Sequence, residues 1–143
     1  MICYKGLLDE VLRVVSENKP CLYIRRVVMN TNQILNLDCR IDENKEIIQK
    51  ALRQIKPLAK CKQDVVPIEK IEKCIFVLCR NYNILPRGIL ADEFSSDDGI
   101  VWKFEFVNAA NLERIGICYG VSFYEVLAKS AIMLFSKTRV MRK

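Results

Sequence analysis

The stretch from Trp102 to Phe135 constrains this chain more than any other. Trp102, Phe104 and Phe106 alternate with Lys103 and Glu105, the period of a half-buried strand. A polar turn follows, and Ile115, Ile117 and Tyr119 repeat the alternation, so the two runs predict a β-hairpin. Ser122-Phe-Tyr-Glu125 then fits a capping box, in which a serine hydroxyl and a glutamate carboxylate satisfy amides left open at a helix start. Phe123, Val126, Leu127, Ala131, Leu134 and Phe135 keep helical spacing and must be buried against something. That assigns the three aromatics to the core rather than to a stacking platform for single-stranded nucleic acid, the other use of such a row.

Upstream, Pro67 suits the first position of a helix. Ile68, Ile71, Ile75 and Leu78 form its buried face, with Glu69, Lys70, Glu72 and Lys73 opposite. Asn81 to Gly88 reads as a connector containing Leu85-Pro-Arg-Gly88. Ile89 to Ser95 reads as a strand, and Asp97-Asp-Gly99 as a turn. Nearer the start, Tyr4 to Asn18 has an amphipathic helical pattern that Pro20 ends, and Cys21 to Met29 has strand composition. Asn30-Thr-Asn32 supplies a turn. Leu35, Leu37, Cys39 and Ile41 then alternate with Asn36, Asp38, Arg40 and Asp42, which predicts a second strand paired with the first. Glu43 to Lys56 is expected to be a helix capped by Asp42, with Ile47, Ile48, Ala51, Leu52 and Ile55 as its core stripe.

The expected class is therefore α+β, with antiparallel sheet or sheets carrying helices on one face, as αββα followed by αβββα. The expected division is an N-terminal half over 1–58, acting as a degenerate repeat or a cap, a short linker over 59–66, and an αβββα domain over 67–143.

Composition removes several chemistries. There is no histidine among the 143 residues, which excludes Ser-His-Asp, Cys-His and imidazole-base mechanisms and any Cys/His zinc site. The seven cysteines are widely spaced, odd in number and without a CxxC pair, so buried reduced thiols are expected in place of a disulfide framework or a metal site. The run Cys74 to Cys79 is far too short to span a bilayer. The N-terminus turns charged at Asp9 and Glu10 without a signal-peptide pattern. A cytoplasmic or nuclear protein with no membrane partner is expected.

The net charge of +6 suits an acidic partner such as RNA without requiring one. Lys50, Arg53, Lys56 and Lys60, with Lys45 and Lys62, form the densest basic cluster, either a solvated helix face or a ridge for phosphates. Lys137, Arg139, Arg142 and Lys143 make a basic tail. Asp92, Glu93, Asp97 and Asp98 are the only dense carboxylate group, either a solvated loop or a site for a hard cation.

From Pro67 to Phe135 the order helix, three strands, helix resembles the double-stranded RNA-binding domain. Pro67 to Asn81 resembles that family's first helix, Trp102 to Val107 its aromatic strand, Gly120-Val-Ser122 its turn and Ala128-Lys-Ser-Ala131 its alanine-lysine helix core. The resemblance implies lysines at the start of the last helix that contact phosphates across a major groove. Aligned on Ser122, those positions hold Phe123, Tyr124 and Leu127. Aligned on Ala128-Lys129, only Lys129 survives, beside Glu125 and Val126. Arg114, Lys129 and the tail would have to compensate. The resemblance thus implies a non-enzymatic, RNA-associated adaptor without a cofactor. Its alternative is a protein-interaction or dimerisation module that has lost RNA binding and uses Phe123 and Tyr124. A metal-dependent nuclease on the acidic group is a remote third.

Overall fold

The computed structural model describes residues 29–96 and 99–141. The expected helix over Tyr4–Asn18 and strand over Cys21–Met29 lie outside that set, Met29 excepted. Four α-helices are described, α1 (Thr31–Leu35), α2 (Asp42–Leu52), α3 (Ile68–Asn81) and α4 (Phe123–Met141). Three strands, β1 (Ile84–Ser96), β2 (Gly99–Asn108) and β3 (Arg114–Gly120), form one antiparallel sheet in the order β1-β2-β3. The α+β class holds, and helix-strand-strand-strand-helix runs from Ile68 onward as expected.

The first half departs from expectation at the predicted strand over Leu35 to Ile41. Asn30 and Gln33 form a reciprocal capping box, each side chain accepting the other's amide at 2.9 Å, which starts α1. Asp38 then accepts the amide of Arg40 at 3.0 Å, and Asn44 donates to the carbonyl of Asp38 at 2.9 Å. Short polar side chains that bond nearby backbone hold a chain in turns and out of a ladder. Leu37 is buried within this turn while Ile41 is exposed. α2 starts after Ile41, with no side-chain cap from Asp42, and stops at Leu52; a short 3-10 turn, Lys56–Leu58, follows. Pro57 sits in that turn, where its missing amide is harmless.

The segment expected to be a connector, from Ile84, already belongs to β1. Pro86 is tolerated because β1 is an edge strand among the described strands. Gly88 has φ +128° at a register shift between Pro86 and Gly88, a β-bulge that only glycine adopts without strain.

The aromatic row faces the core. Phe104 and Phe106 are buried with ring centroids 4.3 Å apart, and Trp102 meets Phe123 edge-on at 5.3 Å. The register places Trp102 opposite Gly120, Phe104 opposite Cys118 and Phe106 opposite Gly116. Directly opposed residues share a sheet face, so β3 offers small residues to the core. Tyr119 lies on the other face and is exposed. The sulfur of Met133 occupies the space a side chain at Gly116 would need. At Gly120 a Cβ would stand 2.9 Å from the amide nitrogen of Val126, so the strand end and the helix start can approach only there.

One hydrophobic cluster takes side chains from all parts of the described chain: Leu37, Leu52, Ile55 and Val66 from the first half, Ile71 and Ile75 from α3, and Val126, Ala131 and Leu134 from α4. No described helix is long and apolar enough to cross a membrane.

Candidate interaction surface

The start of α4 is where an RNA-binding domain of the resembled type would meet phosphate, and here the chain's own first half lies against it. Ser122 caps the helix through its Oγ, which accepts the amide of Glu125 at 3.1 Å. The carboxylate of Glu125 accepts the amide of Val121 at 3.1 Å, so the expected capping box forms with its return bond one residue earlier. The second Glu125 oxygen meets Lys129 Nζ at 2.6 Å, and Lys129 also donates to the carbonyl of Leu37 at 2.7 Å. Both charged side chains are buried, 5% and 7% exposed.

Tyr124 is the second tie. Its hydroxyl donates to the carbonyl of Val66 at 2.6 Å and accepts from Gln49 Nε2 at 3.0 Å, while Gln49 Oε1 accepts the amide of Val66 at 2.9 Å. Burial pushes the Tyr124 phenol above its ordinary value, with the Gln49 bond opposing. A third tie, from Thr31 Oγ1 to Ser136 Oγ at 3.0 Å, holds α1 further along the helix.

These ties engage three of the expected site residues. Lys129 is buried against Glu125 and the Leu37 carbonyl. Phe123 packs on Trp102, and Tyr124 joins α2 to the segment before Pro67; both are half-buried, and Tyr124 lines a concavity beside α2. Arg53 is also engaged, because its guanidinium donates to the carbonyls of Gln63 and Asp64, the latter at 2.8 Å.

The remaining basic candidates are dispersed. Lys50, Lys56 and Lys60 are exposed on the first half. Arg114 pairs with Glu105 at 2.6 Å at the far end of β3, about 20 Å from Gly120 at strand rise. Lys137 lies roughly 20 Å along α4 from Tyr124. Arg139 stands 5.7 Å over the ring of Phe135, and Arg142 lies outside the described residues.

Three concavities are present among the described residues. One, about 850 Å³, lies between α2 and the start of α4. Of its rim cations, Arg40 pairs with Asp38 at 3.0 Å, Lys45 reaches Asp42 at 3.5 Å and Arg53 holds backbone carbonyls; Lys50 also stands there, and Glu46 and Asp64 add negative charge. A second, about 530 Å³, lies between the turn after α1 and β3, with Asp38, Arg40, Glu125 and Lys129 in its lining. The third, about 330 Å³, runs between α3 and the start of β1. Its walls are Ile75, Cys79, Ile84, Pro86, Phe104 and Leu127, and Glu72, Phe76 and Arg80 stand along its helical side. Phe76 is 77% exposed, a large apolar side chain left open to solvent. The spacing Ile71, Ile75, Leu78 identifies the buried face of α3; Phe76, one residue beyond Ile75, falls at the edge of that face and is left exposed, a large apolar side chain that the reading of the stripe passed over.

The thiols of Cys39, Cys74, Cys79 and Cys118 are pushed up to about 11 by burial, which fits inert packing groups. Among the described residues no group of three or more His, Cys, Asp or Glu is placed to hold a metal ion. Asp92 and Glu93 lie in β1, and Asp97 and Asp98 lie outside the described residues. Comparison of the chain with family models, with curated proteins and with solved structures finds no match in any of the three.

Proposed function

We propose that this chain is a non-enzymatic protein-interaction module, built on a scaffold resembling the double-stranded RNA-binding domain but without its grip on duplex RNA. The observation that carries the reading is the double tie at the start of α4. Lys129 to Leu37 and Tyr124 to Val66 lay the first half over the turn that would straddle a major groove. A groove-spanning module also needs its cations on one face, and here Arg53, Arg114 and Lys137 belong to three separate regions. An apolar groove with an exposed phenylalanine on its margin is a feature that protein partners recognise.

Titration of the chain with duplex RNA at low salt tests this. No discrete complex is expected. A complex whose affinity falls steeply with added salt, as counterion release demands, would return the chain to the RNA-binding class and overturn the reading.

A further inference from the structure

We infer that the α3 groove takes a second copy of this chain, the two α3 helices packing antiparallel across a two-fold axis beside Phe76. The inference rests on the protein-interaction reading above and names the partner.

Three side chains carry it. Glu72, Phe76 and Arg80 follow one another at one-turn spacing, and so lie in a row along a single face of α3. Phe76 is at the centre of that row, with an acid one turn before it and a base one turn after. A two-fold axis at the central residue reverses the row of the second copy. Glu72 then stands opposite Arg80 of the second copy, Arg80 opposite its Glu72, and the two phenylalanines meet beside the axis, each against the other's ring and the margin of the adjoining groove. A surface that carries its own complement in this way meets the requirement of an isologous interface, in which the same patch serves both partners.

The alternatives fit less well. A parallel arrangement would set Glu72 against Glu72 and Arg80 against Arg80, two like-charge contacts. A purely acidic or purely basic partner would match one end of the row and oppose the other. Within the chain, Glu72 and Arg80 are two turns apart, about 12 Å along the axis, too far to pair with each other. Among the described residues neither takes part in an ion pair. The groove next to the row is lined by apolar side chains otherwise buried, Ile75, Phe104 and Leu127 among them, so an inserted ring meets core rather than solvent. Aromatic anchors seated in such desolvated pockets dominate the energetics of many interfaces.

Sedimentation of the full chain over a concentration series tests the inference, with twice the chain mass expected at the upper end. Phe76→Ala removes two anchors at once and should weaken association about 100-fold or more. Glu72→Arg alone opposes two like charges and should weaken it on the order of tenfold, and Glu72→Arg combined with Arg80→Glu should restore it. All three positions are at the surface, and circular dichroism verifies that each variant is folded. A monomer at every concentration, or a dimer indifferent to all three changes, overturns the inference.

A photo-crosslinking residue in place of Phe76 separates this failure from failure of the parent reading. An adduct between two copies in the purified chain supports the inference. A crosslink within one chain, or an adduct formed only with a different protein, overturns it. In the last case the interaction reading stands, whereas no adduct under any condition removes both.

Discussion

Lys129 and Glu125, one turn apart on α4, bring opposite charges to 2.6 Å inside the protein, with the Leu37 carbonyl as a third member. Removing water from both charges is unfavourable, and their mutual attraction with the added backbone bonds offsets it. Losing one member leaves the other charged and unpaired. Lys129→Met or Glu125→Gln should each destabilise the fold by about 3–5 kcal/mol. Glu125→Gln combined with Lys129→Met should be far less harmful than the sum of the single changes. Urea denaturation of the four proteins measures the coupling, and strict additivity would show that the pair acts as two independent side chains.

Tyr124 is tied by its hydroxyl alone to both α2 and the segment before Pro67. Tyr124→Phe keeps the ring packed but leaves the Val66 carbonyl and the Gln49 amide short of a partner. A loss of about 1–3 kcal/mol is expected, read as a lower denaturation midpoint at unchanged slope. Because Tyr124 is not part of the groove beside Phe76, the same substitution should leave the proposed self-association unchanged.

Gly120 faces the amide of Val126 with no room for a methyl group. Gly120→Ala must push β3 and the start of α4 apart, at about 1–3 kcal/mol. Gly116→Ala meets only the flexible side chain of Met133 and should be milder. Thermal melts of the two variants rank them, and equal losses would contradict the difference in what each glycine touches.

How much of this was legible in the residues themselves varies with the source of the signal. α3, β2 and α4 carry strong periodic patterns reinforced by burial, and their existence and order follow from them. Leu35 to Ile41 has an equally regular alternation and is not a strand, because the polar residues between the apolar ones bond local backbone. Asn30 and Gln33 hold the spacing of a helix start, a signal missed when Asn30-Thr-Asn32 is read only as a turn. β3 shows a second limit. Its large residues predict the core face, yet the bulk of Trp102, Phe104 and Phe106 leaves room for only Gly116, Cys118 and Gly120 opposite them. The interior position of Lys129 depends on Leu37, far away in sequence, and no local pattern encodes it.

The desolvated thiols make a prediction in alkali. Cys39, Cys74, Cys79 and Cys118 hold their protons to about pH 11 when folded, against 9.0 for an ordinary thiol. As pH rises from 9 toward 11 the unfolded chain ionises first and binds fewer protons, so stability falls across that window. Denaturation at stepped pH should show the decline. At pH 8 a thiol reagent should modify Cys74, Cys79 and Cys118 only as fast as the protein opens, with the half-buried Cys39 reacting sooner; immediate modification of those three in the folded state would refute their burial.

The glycines and cysteine along β3 also shape the molecule far from themselves. Small side chains there let α4 come close to β3: the sulfur of Met133 fills the space beside Gly116, and the amide of Val126 comes up to Gly120. The same helix sends Leu127 into the groove beside Phe76, where it meets Phe104 of β2. Enlarging Gly116 would press on Met133, and any shift of α4 would carry Leu127 with it, reshaping a groove that Gly116 does not line.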